Sequence, residues 1–99
     1  MECKHIMNIY YLMIEAVPNE DNDEREEVDG AYINFWVKAD EYETALKEAM
    51  EYIDNENWKS IKAKDSFIAK RDLYIDDPDS LECYDEACEN GIAAIFYTW

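Results

Sequence analysis

The run Ala31-Tyr32-Ile33-Asn34-Phe35-Trp36-Val37-Lys38-Ala39, followed at once by Asp40-Glu41-Tyr42-Glu43-Thr44-Ala45-Leu46-Lys47-Glu48-Ala49-Met50-Glu51-Tyr52-Ile53-Asp54-Asn55, changes its hydrophobic period midway. Up to Ala39 the period is two. Ala31, Ile33, Phe35, Val37 and Ala39 share one parity and read as the core face of a strand. Tyr32, Asn34, Trp36 and Lys38 share the other, a mixture of aromatic and polar groups that suits a face left open. Beyond Asp40 the apolar residues Tyr42, Ala45, Leu46, Ala49, Met50 and Ile53 recur every three or four positions, one stripe of an amphipathic helix. Asp40 is the expected N-cap, with Glu43 three residues later in the manner of a capping box. Glu43 and Lys47 form a favourable i,i+4 pair. A strand that runs straight into such a helix predicts an α+β domain.

Residues 6–17, rich in Ile, Tyr and Val, predict a first strand that Pro18 ends. Both its faces are apolar, which predicts a central place in the sheet. Residues 58–70 alternate Ile61, Ala63, Phe67 and Ala69 with Lys62, Lys64, Ile68 and Lys70, a third strand with a break expected at Asp65-Ser66. Its lysines suit an edge. After a connection over 71–79, Asp77-Pro78 opens a second helix to about Asn90, with Leu81, Tyr84, Ala87 and Cys88 as the expected buried stripe and Asn90-Gly91 as its C-cap. Residues 92–99 form a last, uncharged strand. The order β-β-α-β-α-β predicts one domain over residues 1–99: a two-layer sandwich in which a four-stranded, mostly antiparallel sheet carries both helices on one face, a ferredoxin-like variant.

Charge dominates the composition. Twenty-five Asp and Glu oppose nine Lys and Arg in 99 residues, a formal net charge of −16 at pH 7. Such a field repels nucleic acid, anionic membrane and phosphate ligands, and attracts basic surfaces. The 48 % apolar content is too high for a disordered acidic tail. Three cysteines do not read as a disulfide framework, and residues 1–17 lack the layout of a signal peptide, so a reduced, cytoplasmic setting is expected.

The acids fall in two blocks. Residues 19–30 hold Glu20, Asp21, Asp23, Glu24, Glu26, Glu27 and Asp29 against Arg25, and read as a long, mobile hairpin loop closed by Asp29-Gly30. Residues 76–89 hold Asp76, Asp77, Asp79, Glu82, Asp85, Glu86 and Glu89 and no base. Acids near a helix start suit its dipole; Glu86 and Glu89, near its end, do not. A third group is aromatic. Tyr10, Tyr32, Trp36, Tyr97 and Trp99 are candidates for an uncovered sheet face, the residue types that enrich interface cores.

No motif fixes a chemistry. Cys3 and His5, two apart on a strand end, share a side and are a conceivable Cys/His pair, but nothing supplies the third, orienting group. Cys83 and Cys88 are five apart, which is not zinc or redox spacing. Neither acidic stretch matches a calcium loop, because no Gly stands sixth and no Glu twelfth. Two glycines exclude a phosphate cradle. Glu15, inside an apolar strand, is the one acid with a candidate pocket environment. The resulting expectation is a non-enzymatic interaction protein without cofactor or metal. It would neutralise a basic protein partner by its two acidic blocks, with no direct nucleic-acid or membrane binding. By composition this is similar to inhibitors, immunity proteins and nucleic-acid mimics. The competing expectations are a ligand-binding domain built around Tyr, Trp and Glu15, and a homodimer formed through Tyr32, Trp36, Tyr97 and Trp99.

Overall fold

In the computed structural model, which describes residues 7–99, the elements run β1 (Asn8–Pro18), β2 (Ala31–Ala39), α1 (Tyr42–Asn55), β3 (Trp58–Ala69), one turn of 3-10 helix (Arg71–Tyr74), α2 (Pro78–Asn90) and β4 (Ile92–Thr98). The four strands make one sheet in the order β3-β1-β2-β4, with every neighbour antiparallel. This is the expected α+β class, with β1 inside the sheet and β3 at an edge.

The two helices are not on one face. Tyr10, Leu12, Ile14 and Ala16 of β1 and the odd-numbered residues of β2 pack under Ala45, Ala49 and Ile53 of α1. Ile9 and Tyr11 of β1 and Trp36 of β2 pack with Ala87, Cys83 and Tyr84 of α2. Successive strand residues point to opposite sides, so α1 covers one face of the sheet and α2 the other. The expected two-layer, ferredoxin-like packing is therefore replaced by helix, sheet and helix. The cause is β1: a strand apolar at both parities needs cover on both sides.

The α1 side is the larger core. Leu12, Ile14, Ile33, Phe35, Val37 and Ile53 are wholly buried there, and burial of each such side chain contributes about 1.5–3 kcal/mol. Tyr52 stands edge-on to Phe35, and Trp58 and Phe96 meet at 5.5 Å between ring centroids.

Local signals explain most boundaries. α2 starts where Asp77 accepts a hydrogen bond from the Ser80 amide at 3.3 Å and another from the Ser80 hydroxyl at 2.9 Å, with Pro78 at the first helical position. It ends at Gly91, whose φ of 101° lies in the left-handed region that glycine adopts without strain. α1 departs from expectation: its N-cap is Glu41, which makes no side-chain cap bond. On β3, register shifts opposite Met13/Ile14 and Glu15/Ala16 leave Lys64 and Ile61 as extra residues, so the irregularity begins one residue before the expected Asp65-Ser66.

Candidate functional site

The acidic loop is ordered by its own side chains. Asn19 and Asn22 each accept from an amide two residues on, at 2.9 and 2.8 Å. These are Asx turns, the local bonding that lets Asn bend a chain. The loop is also tied to the segment after α1. The Asn19 amide and the Asn22 side chain both donate to the Asn57 carbonyl, at 3.1 and 2.9 Å, and Asn57 itself sits at φ 65°. Val28 packs on the main core. The loop expected to be mobile is thus a chain of turns anchored at both ends. This fold places Asp23 and Glu24 around a shallow depression that they share with Glu56, the C-cap residue of α1. Glu56 is the acid that sequence reading missed, because its neighbours lie more than thirty residues away. Glu20 and Asp21 line another depression with Arg25 and Lys59, so part of the loop's charge is balanced locally. Glu26 and Glu27 point to solvent.

Asp76, just before α2, and Asp79, Glu82, Glu86 and Glu89 on it are exposed. Asp77 is spent on the N-cap. Asp85 is engaged by Arg71 through two hydrogen bonds, Nε to Oδ1 at 3.0 Å and a terminal guanidinium nitrogen to Oδ2 at 3.1 Å. Arg71 holds its carboxyl below the usual range. Asp77 and Asp85 therefore leave the expected binding face. What remains is an acid-rimmed depression at the helix start, lined by Pro78, Asp79, Leu81, Glu82 and Asp85. The last turn carries no base. The α2 acids and the loop 19–30 attach to opposite ends of β4. The Asp29 amide donates to the Trp99 carbonyl at one end, and α2 enters through Gly91 at the other.

The aromatic group divides. Trp36 is 1 % exposed, sealed beneath α2 between Tyr11 and Tyr74. Tyr10 is buried on the α1 side beside Tyr42. Neither can meet a partner. Tyr32, Tyr97 and Trp99 are 37 %, 51 % and 49 % exposed. Tyr32 and Tyr97 are register partners, and Tyr32 lies 4.8 Å from Trp99. These three lie on the α2 side of the sheet.

Among the described residues the cysteines are Cys83 and Cys88. Cys83 is half-buried, and burial together with Glu86 and Glu82 raises its thiol pKa, so it stays protonated at neutral pH. Cys88, expected in the core, is exposed. One residue turns a helix by about 100°, so with Ala87 central the packed positions are Cys83 and Tyr84. Glu15 lies partly exposed, 3.9 Å from Lys64. Cys3 and His5 lie outside the described residues. Among the described residues no three His, Cys, Asp or Glu side chains cluster as metal ligands, and no helix is long and apolar enough to cross a membrane. In comparison with known proteins, no family model, no curated protein and no solved structure matches the chain.

Proposed function

We propose that this chain is an interaction protein that binds and neutralises a basic protein partner, using the outer side of α2 and the Asp23-Glu24-Glu56 corner. The observation that carries this reading is the last turn of α2. Glu86 and Glu89 lie exposed at or just before it, and the turn has no base of its own. Carboxylates at a helix C-terminus oppose its dipole and cost about 0.3–1 kcal/mol each. Lys38 of β2 meets this helix end, its Nζ donating to the Cys88 carbonyl at 3.1 Å, and offsets part of that cost; a partner's cations would offset the rest. The depression floored by Pro78 and Leu81 and rimmed by Asp79 and Glu82 suits a long basic side chain, whose apolar stem packs while its charged head meets a carboxylate. Tyr32, Tyr97 and Trp99 supply the apolar contact that a charged rim alone lacks.

The test is affinity capture from a lysate at low and high salt, repeated with Asp76→Lys, Asp79→Lys, Glu82→Lys and Glu86→Lys combined. One basic protein retained in stoichiometric amount, and lost on charge reversal, supports the reading. A smear of basic proteins, retained alike by both chains, removes it and returns attention to the homodimer.

A further inference from the structure

The sheet has two edges, and they differ. β3 carries Lys59, Lys62, Lys64 and Lys70 at or beside its length and is broken by two register shifts. Charge and bulges are the devices by which proteins keep foreign strands off an edge. β4 has none of them. Residues 92–99 hold no charge and no proline, and the β2–β4 register is unbroken.

The hydrogen bonding of that pair shows what the edge offers. Trp99 and Gly30 exchange both backbone bonds, at 2.9 and 3.4 Å, and the Lys38 amide donates to the Gly91 carbonyl at 2.9 Å. In an antiparallel ladder such pairs alternate with non-bonded ones. Positions 91, 93, 95, 97 and 99 therefore bond inward to β2. Ile92, Ala94, Phe96 and Thr98 turn their N–H and C=O groups outward, and among the described residues no strand pairs with them.

Acids stand on both sides of this edge. Tyr52 reaches over Phe96 from the α1 side. Its phenol pKa is raised by burial, and then by Glu56 and by Glu86. Glu56 caps α1, which covers one face of the sheet, and Glu86 lies exposed on α2, which covers the other. A second copy of the chain pairing edge to edge would set these acids against their own kind. A strand carrying cations would find one on either side.

We infer that β4 is a docking edge for an extended Lys- or Arg-bearing segment of the partner, which joins the sheet as a fifth strand beside Ile92, Ala94, Phe96 and Thr98. The inference rests on the reading that the partner is basic. Main-chain bonds supply affinity in this mode, and side chains that alternate between the two faces supply selectivity. Successive cations, which a strand turns to opposite faces, would approach Glu86 on the α2 side and Glu56 on the α1 side.

The probe is a short, end-blocked peptide of repeated Lys-Lys-Thr-Thr, which as a strand carries cations on both faces, with repeated Glu-Glu-Thr-Thr as control. The readout is amide hydrogen exchange by NMR. The Lys peptide is expected to slow the amides of Ile92, Ala94, Phe96 and Thr98 by about tenfold or more, while the inward amides of Ala93, Ile95 and Tyr97 change little. Ala94→Pro removes an outward donor and spares the β2 ladder, as proline on an edge can. It should weaken binding about tenfold. Thr98→Pro, at an exposed position, repeats the test should the first variant fold poorly. If the Lys peptide binds without protecting the outward amides, and both proline variants bind it equally, the edge inference is wrong and the basic-partner reading stands. If neither peptide binds, both fail. If the chain pairs with itself through β4 and Ala94→Pro makes it monomeric, the occupant is a second copy and the inference is overturned.

Discussion

Trp99 lies against Gly30: its amide donates to the Gly30 carbonyl at 2.9 Å, and a Cβ at position 30 would come within 2.7 Å of indole atom Cζ2. The missing side chain is what lets the ring rest over the strand beside Tyr32. Gly30→Ala must push the ring outward, because the Ala16 carbonyl, 3.1 Å away, closes the other direction. We expect a loss of about 1 kcal/mol, at the low end for overpacking because Trp99 is half exposed and can move. Urea unfolding measures the loss. A shift of the Trp99 indole NMR signal reports the displaced ring, and Trp99→Ala in the same chain should recover most of the stability.

Trp36 and Trp99 lie on the same face of the sheet but have opposite fates. Trp36→Ala should cost about 3–5 kcal/mol, the range for emptying a large buried aromatic site. Trp99→Ala and Tyr97→Ala should each change stability far less and weaken partner binding instead. Thermal unfolding of the three variants beside their affinities separates the roles. A mild effect of Trp36→Ala on stability would contradict the placement of α2.

That placement is also the part of the fold least legible in the sequence. The element order, β1 inside the sheet, the Asp77-Pro78 start and the Gly91 stop follow from period and local chemistry, which are short-range. The side on which a helix lands is long-range. One clue was present: Ile9 and Tyr11 are as apolar as Tyr10 and Leu12, which asks for cover on both faces and not only for a central strand. The Arg71–Asp85 pair and the Asp23-Glu24-Glu56 corner had no such clue, because they join residues that only the fold makes neighbours.

The Arg71–Asp85 pair makes a pH prediction. Arg71 depresses the Asp85 pKa. A carboxyl whose pKa is lower folded than unfolded stabilises the fold above its unfolded pKa, and the gain fades as pH falls through its folded one. Arg71→Ala should therefore raise the Asp85 pKa towards the ordinary carboxylate value, as read by carbon NMR titration of that carboxyl. The effect on overall stability should be small, because both groups meet solvent.

At alkaline pH the buried phenols control stability. Tyr11 is pushed up to about 12, mainly by burial and then by Tyr74, Asp65 and Tyr97. A raised folded pKa gives stability that is complete below the unfolded value of about 10 and is lost as pH climbs through the folded one. Urea midpoints should fall between about pH 10 and about 12, and Tyr11→Phe should flatten that fall. Tyr52, Tyr74 and Tyr84 shift in the same direction, so some decline will persist in the variant. An equal slope with and without the Tyr11 hydroxyl would contradict its burial.

With a formal charge of −16, the chain should also unfold at higher temperature as monovalent salt increases, since screening relieves self-repulsion. Calorimetry in sodium chloride checks this. Charge reversal on α2 should raise the low-salt midpoint, which would show that those acids are kept at the expense of stability.

The most direct measurement is the association rate of the captured basic partner as a function of ionic strength, for the native chain and for the Asp76→Lys, Asp79→Lys, Glu82→Lys, Glu86→Lys chain. Steered association predicts that the native rate falls about tenfold or more between about 0.05 M and about 0.5 M salt, with the dissociation rate changing much less. The reversed chain should start slower and lose that salt dependence. Equal association rates for the two chains at every salt concentration would contradict the account, leaving the charge of α2 with no part in binding.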